Sequence, residues 1–211
     1  MNKQRLEAFS DGVYAIVITL LILTIRIPDV PPKALGPALV KLLPQVFTYF
    51  LSFFVVGLYW FAHHRVSHQV KQIDGTFIWL NMIWLLFVSV MPFPAALLGR
   101  YPLQRIPVAI YGIDLVLANV TGFLITVYLK NRPKLCVTPI SSATLRGQVT
   151  VYLVTNGIYL VAIAFAWILP WVSFVLYALV LAWLMVRYAR INNPFQPNRG
   201  RSLRQSKGAR R

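Results

Sequence analysis

Six apolar segments divide this chain, and each is close to the length of about 20 residues with which an α-helix crosses a lipid bilayer. They cover residues 6–27, 38–64, 76–98, 107–129, 148–169 and 172–190. A backbone inside the hydrocarbon core has no water to bond with, so it must satisfy its polar groups internally, as a helix does. The sequence therefore predicts an all-α, polytopic membrane protein with six transmembrane helices, formed by residues 1–190.

Prolines mark two features within this plan. Pro170 alone separates the last two segments and predicts a tight helical hairpin. Pro92 and Pro94 lie inside the third segment, where the loss of helical hydrogen bonds predicts a bend.

The chain is strongly apolar and strongly basic at once. It is 58% hydrophobic, with a formal net charge of +16 and 12% charged residues, whereas soluble domains carry about 25% charged residues. This composition excludes a soluble monomeric domain. Sixteen of the 21 Lys and Arg residues fall on the side of the membrane that holds the N-terminus, so the positive-inside rule predicts that both termini are cytoplasmic.

Residues 191–211 are rich in Arg and Lys. We expect a disordered cytoplasmic tail held near anionic lipid. Nucleic acid is not an expected partner, because no basic patch interleaved with aromatic residues accompanies the tail.

Charged and polar residues stand at the start of the first apolar segment, among them Arg5, Glu7, Ser10 and Asp11. Ionisable residues within a membrane span usually face a bundle interior or a water-filled path, so they suggest a functional site. Candidate partners on the second and third helices are Trp60, His63, His64 and Asn81. A network joining Ser10 or Asp11 to a histidine and Asn81 would hold the first helix against its neighbours. We expect Asp11 to position that helix rather than to contact an ion.

Several residues of the first helix share one face at intervals of three or four. They are Gly12, Ile16, Thr19, Leu23 and Arg26, with Leu20 beside them. If copies of this helix surround an axis, Ile16, Leu20 and Leu23 form stacked apolar rings, with Thr19 hydroxyls between them. Such rings close a pore by dewetting. The alternative is that this face packs on neighbouring helices, because apolar residues at this spacing occur in any membrane helix.

Catalytic and metal-binding motifs are weak in this sequence. His64 and His68 are four residues apart, as zinc ligand pairs often are, but no third and fourth ligand is evident and His68 falls in a polar, loop-like run. Cys136 is the only cysteine, which excludes an intrachain disulfide framework. We therefore expect neither an enzyme nor a bound metal or other cofactor.

The first hundred residues resemble the transmembrane protein 175 family of potassium channels. The resemblance rests on Arg5-x-x-x-Phe9-Ser10-Asp11-Gly12, on Trp60-Phe-Ala-His63-His64, and on Leu80-Asn81 followed by Pro92-Phe93-Pro94. With six spans and no internal repeat, the chain resembles the single-repeat prokaryotic type, which implies a homotetramer in the cell membrane whose first helices surround a central pore.

The resemblance further implies a potassium-selective, leak-type ion channel with K+ as the permeant ion. The apolar constriction that gates and filters cations maps onto Ile16, Leu20 and Leu23, with Thr19 as a polar ring. Arg5, Phe9, Ser10 and Asp11 belong to the network that holds the pore helix. The sequence contains no T-V-G-Y-G filter, so selection would use another device.

Three other functions stay open from the residues themselves. The first is a proton- or cation-coupled secondary transporter that titrates Asp11 and a histidine of the second helix. The second is a membrane enzyme with a histidine-bound metal, and the third is a non-conducting scaffold.

Overall fold

The computed structural model describes residues 2–191, and the regular elements within that range are all helices. In chain order the α-helices are α1 (Lys3–Leu20), α2 (Leu35–Lys41), α3 (Leu43–Gln69), α4 (Gly75–Val90), α5 (Pro92–Arg100), α6 (Arg105–Lys130), α7 (Ser142–Phe165) and α8 (Pro170–Ile191). The predicted basic tail lies, beyond its first residue, outside the described residues.

Six stretches of this range are long and apolar enough to cross a membrane, which confirms the predicted number of spans. Helix α1 and the 3-10 turn Leu21–Thr24 form the first span, and α4 with α5 form the third. Helices α3, α6, α7 and α8 are the others.

The second span differs from the prediction at both ends. It begins at Leu43 rather than at residue 38, because the preceding residues form the separate short helix α2. The prediction that His68 lies in a loop was wrong, since α3 continues to Gln69. The helix thus passes through this polar run. The next residue, Val70, has an extended backbone and pairs with Cys136 in an isolated bridge.

The fifth span also begins earlier than predicted. Helix α7 starts at Ser142 rather than at residue 148, because Ser141 caps it. The Ser141 hydroxyl accepts a hydrogen bond of 3.0 Å from the Thr144 backbone N–H, and serine is among the residues that favour this position.

The third span is interrupted where its prolines predicted a bend. Helix α4 ends at Val90, and α5 begins at Pro92 after the single residue Met91. Proline at the first position of a helix has no N–H to leave unbonded. The interruption therefore falls at a position where the ladder of hydrogen bonds is already open.

Helix α6 lies at the centre of the subunit and packs on α4, α5, α7 and α8. Over half of its apolar stretch is buried (56%), against 28% for α1. Gly112 permits the close approach of α7, because a Cβ at this position would lie 2.6 Å from Ile163 Cγ1. Helix α1 packs on α3 and α4 at the edge of the subunit.

A polar cluster fixes the start of α4 next to the end of α6. Asp74 caps α4 by accepting a 2.9 Å hydrogen bond from the Phe77 N–H. The Tyr128 hydroxyl donates to its other carboxylate oxygen at 2.5 Å. The Tyr128 hydrogen bond, followed by that of Phe77, lowers the pKa of Asp74 below its ordinary value of 3.8.

We predict that Asp74→Ala lowers the free energy of unfolding by about 1 kcal/mol, the usual effect of losing an N-cap. Asp74→Asn retains the cap and loses only the contribution of the charge, so its stability at neutral pH is expected to lie between that of Asp74→Ala and that of the native protein. Thermal unfolding of the detergent-solubilised protein measures both changes.

The same pair of variants separates the charge from the cap. Because folding lowers the pKa of Asp74, its ionised form contributes stability at neutral pH. This contribution is lost as the pH falls below the ordinary value of the carboxyl group and through its folded value. Asp74→Asn should lack this acid-dependent loss. If the variant lost as much stability at acid pH as the native protein does, the assignment would be contradicted.

Candidate functional site

Helix α1 has one face against the subunit and one face away from it. The residues of this span that are buried against α3, α4 and α5 are Leu6, Ser10, Tyr14, Val17 and Leu21. Their spacing of four, four, three and four residues is that of one helix face. The opposite face contacts none of the other described residues closely, so within residues 2–190 α1 is held along one side only.

The outward face carries large apolar side chains at successive turns. Ile16 is 59% exposed, Leu20 44% and Leu23 71%. Thr19 is also exposed, and its hydroxyl donates within its own helix to the Ala15 and Ile16 carbonyl oxygens at 3.0 and 2.8 Å. The structure thus places all four of the predicted ring residues on a surface that the described part of the chain leaves uncovered.

A chain of hydrogen bonds joins the buried face of α1 to α4 and α3. Asn81 Nδ2 donates to Ser10 Oγ at 3.1 Å, and the Ser10 hydroxyl donates to the Leu6 carbonyl oxygen at 2.9 Å. Asn81 Oδ1 lies 2.6 Å from His63 Nε2. Since the Asn81 amide nitrogen faces Ser10, its oxygen is the acceptor, and His63 carries a proton on Nε2.

These three side chains are almost completely buried. Ser10 is 0% exposed, Asn81 1% and His63 5%. Buried polar groups are stabilising only when they are hydrogen-bonded, and a connected set in a low-dielectric interior specifies one arrangement of its elements. The chain therefore fixes both the position and the rotation of α1 relative to α3 and α4.

A second contact to α3 lies at the exposed edge of α1. Trp60 Nε1 donates to Asp11 Oδ1 at 3.0 Å. The Trp60 ring stacks on His64 at 5.6 Å between centroids, and His64 Nε2 lies 3.0 Å from His68 Nε2. Asp11 therefore bonds to a tryptophan, while the buried histidine bonds to Asn81.

Two predicted members of the network lie outside it in the single subunit. Arg5 is exposed near the start of α1, and Phe9 is 49% exposed on the outward side. The one ion pair recorded between described residues is Lys3–Glu7, at 3.4 Å. Nor do the described residues contain three or more His, Cys, Asp or Glu side chains grouped so that they could hold a metal ion.

Two aromatic residues complete the buried cluster, and the sequence analysis did not identify them. The Tyr14 ring lies 5.6 Å from the His63 ring, and the Trp84 ring meets His63 edge-on at 5.4 Å. Tyr14 could have been identified from the sequence, because it falls on the same helix face as Leu6 and Ser10. Trp84 lies three residues after Asn81, on the same face of α4, but apolar residues surround it on every other side of that helix, so the sequence did not distinguish it.

We predict that Ser10→Ala lowers the free energy of unfolding by roughly 1–3 kcal/mol, because it leaves the Asn81 amide buried without an acceptor. Ser89→Ala is the matched control. Ser89 is exposed on α4, and its hydroxyl bonds only within its own helix, to the Leu86 carbonyl oxygen. Thermal unfolding should show a clear loss for the first variant and a change within about 0.5 kcal/mol for the second; equal losses would argue against the network.

The known proteins to which this chain is similar include members of one channel family and bacterial potassium channels. The family described as "Endosomal/lysosomal potassium channel TMEM175" matches residues 5–92. A potassium channel of Chryseobacterium sp. (strain P1-3) is 39% identical over 120 residues, which are 57% of this chain. The match spans about three fifths of that relative's length (61%).

A potassium channel of Chamaesiphon minutus (strain ATCC 27169 / PCC 6605) is 35% identical over 176 residues, or 80% of this chain and 86% of that protein. The fold is similar to the crystal structure of a lysosomal potassium-selective channel TMEM175 homolog from Chamaesiphon minutus. The TM-score is 0.75 at 29% identity, covering 88% of this chain and 97% of the other. The matches to sequence and to structure extend the resemblance beyond the first three spans, and the chain belongs to the TMEM175 family.

Proposed function

We propose that this chain is a potassium-selective, leak-type ion channel, and that α1 from each subunit of a homotetramer lines its pore. The observation that carries the proposal is the division of α1 into a face held by hydrogen bonds and an uncovered face with Ile16, Leu20 and Leu23. Membership of the TMEM175 family supports it, as do relatives named potassium channels.

Four copies of α1 around an axis would place these side chains in three stacked rings. Residues 16 and 20 are about 6 Å apart along a helix that rises 1.5 Å per residue. Leu23 lies in the 3-10 turn Leu21–Thr24, where the rise is about 2 Å per residue. The constriction would therefore be roughly 12 Å long. The Thr19 hydroxyls would lie between the Ile16 ring and the Leu20 ring.

Rings of this kind act on the ion through its hydration water. They offer no ligands to replace that water, so they discriminate less sharply than a filter of backbone carbonyls. Potassium releases its hydration water more readily than sodium does, so such rings favour the passage of potassium over sodium. Conduction by this device needs no voltage sensor, no catalytic group and no cofactor.

The hydrogen-bond chain would serve the pore by holding α1 at a fixed rotation. A helix gripped on one side only could turn about its axis and move Ile16 and Leu20 out of register with the other copies. The bonds of Ser10 to Asn81 and of Asp11 to Trp60 oppose that rotation. In this account Asp11 is a positioning residue that does not contact the ion.

The same proposal sets the protein in the prokaryotic cell membrane with both termini in the cytoplasm. The orientation rests on the unequal distribution of Lys and Arg between the two sides, and the prokaryotic membrane on the bacterial relatives. Its partners are the lipid bilayer, potassium ions and other copies of the chain.

Flux in liposomes tests the function directly. Purified protein in potassium-loaded vesicles should pass K+ down its gradient faster than Na+ in matched sodium-loaded vesicles, with no dependence on a proton gradient. Flux that requires a proton gradient would favour the coupled transporter that uses Asp11 and a histidine of α3. Protein-free vesicles provide the baseline.

We predict that Leu23→Ser increases K+ flux severalfold, because a hydroxyl ring wets a constriction that apolar side chains keep dry. Leu153→Ser is the matched control, since Leu153 is 65% exposed on α7, close to the 71% of Leu23. This control should leave the flux unchanged. Equal flux from native protein and Leu23→Ser would place the narrow part of the pore elsewhere.

A further inference from the structure

A cavity of about 230 Å³ lies between α3, α4, α6, α7 and α8. The spans alternate in direction, so the ends of α3 and α8 and the start of α7 lie at one membrane surface. The polar and basic residues of the cavity come from these parts of the helices. They include Arg65, Gln69, Thr144, Gln148 and Arg187.

The inner part of the cavity is mainly apolar, and its polar side chains Asn119 and Thr155 bond to each other at 2.6 Å. Val55, Ala118 and Leu181 line its inner part, where α3, α6 and α8 cross the middle of the subunit. One end therefore suits a charged group and the other an apolar chain. A small anion alone would leave the apolar walls without a partner.

The two arginines at the polar end have no carboxylate partner among residues 2–190. The ion pair recorded there is Lys3–Glu7. The Arg65 guanidinium instead lies over the Tyr188 ring at 5.8 Å, and that of Arg187 over the Trp183 ring at 5.7 Å. These aromatic contacts orient the guanidinium groups but do not neutralise them, so the site favours an anion.

Two buried polar atoms of residues that line the cavity have no hydrogen-bond partner among the described residues. They are the Trp84 Nε1 donor and the Gln148 Oε1 acceptor. Trp84 is 2% exposed, and buried polar groups of this kind are nearly always bonded in native proteins. A ligand with both an acceptor and a donor between its charged group and its apolar chain would satisfy them.

We propose that this cavity binds an anionic phospholipid from the leaflet that faces the ends of α3 and α8. Arg65 and Arg187 would hold the phosphate group, because a guanidinium group can donate two parallel hydrogen bonds to a phosphate (bidentate binding). An ester carbonyl oxygen is an acceptor for the Trp84 N–H, and a headgroup hydroxyl is a donor for Gln148. One acyl chain would follow the apolar wall. Basic pockets between transmembrane helices bind lipid headgroups in this way.

Two pairs of variants test this site in the full-length protein. Arg65→Gln with Arg187→Gln removes the positive charge, and Arg146→Gln is its control because Arg146 is exposed on α7 and does not line the cavity. Gly147→Leu fills the mouth, and Gly157→Leu is its control on the same helix. A Cβ meets no atom within 4 Å at either glycine, so both positions have space where a side chain leaves the backbone.

Thermal stabilisation in detergent is measured as phosphatidylglycerol, phosphatidylcholine with the same acyl chains, or glycerol phosphate is added. We expect stabilisation by phosphatidylglycerol at the lowest concentrations. The arginine double variant and Gly147→Leu should weaken its apparent affinity at least roughly tenfold, and the two controls should retain it. Equal stabilisation by phosphatidylcholine, equal stabilisation by glycerol phosphate, or full retention in Gly147→Leu would each overturn the proposal. The measurement involves no ion flux, so its result does not depend on whether the protein is a channel.

Discussion

The arrangement of this subunit depends on how α1 is held. The helix is covered on one side only, and there the buried side chains of Ser10, Asn81 and His63 form a continuous set of hydrogen bonds across three helices. In an interior without water each of these groups would be destabilising alone. Together they permit one rotation of α1, and that rotation points Ile16, Leu20 and Leu23 away from the subunit.

The two sides of the subunit thus differ in kind. Helix α6 forms the centre, where close contacts with α7 need a glycine at position 112. Helix α1 lies at the edge with an apolar face that residues 2–190 do not cover. Helices α7 and α8, with α3, α4 and α6, enclose a cavity whose basic end lies at one membrane surface. In our account α1 serves the pore, and α7 and α8 form a contact with the bilayer.

Much of this could be predicted from the sequence, for reasons that particular residues show. The number of spans follows from apolar length, and the F-S-D-G motif at Phe9 to Gly12 identified both the family and the helix of interest. The sequence could not decide between Ser10 and Asp11 as the partner of Asn81, because one residue along a helix turns a side chain by about 100° and only packing fixes the rotation. His68 was misplaced because polar residues continue a helix beyond the membrane as readily as they end it.

Oxidative cross-linking tests most directly whether the outward face of α1 meets its own copies around an axis. Ile16→Cys in a Cys136→Ala background places the thiol on that face, and Leu153→Cys places it on an exposed part of α7 as the control. We predict covalent dimers for Ile16→Cys within the membrane and monomers for Leu153→Cys. Monomers for Ile16→Cys, with dimers for Leu153→Cys, would contradict the account and place α7 at the contact between subunits.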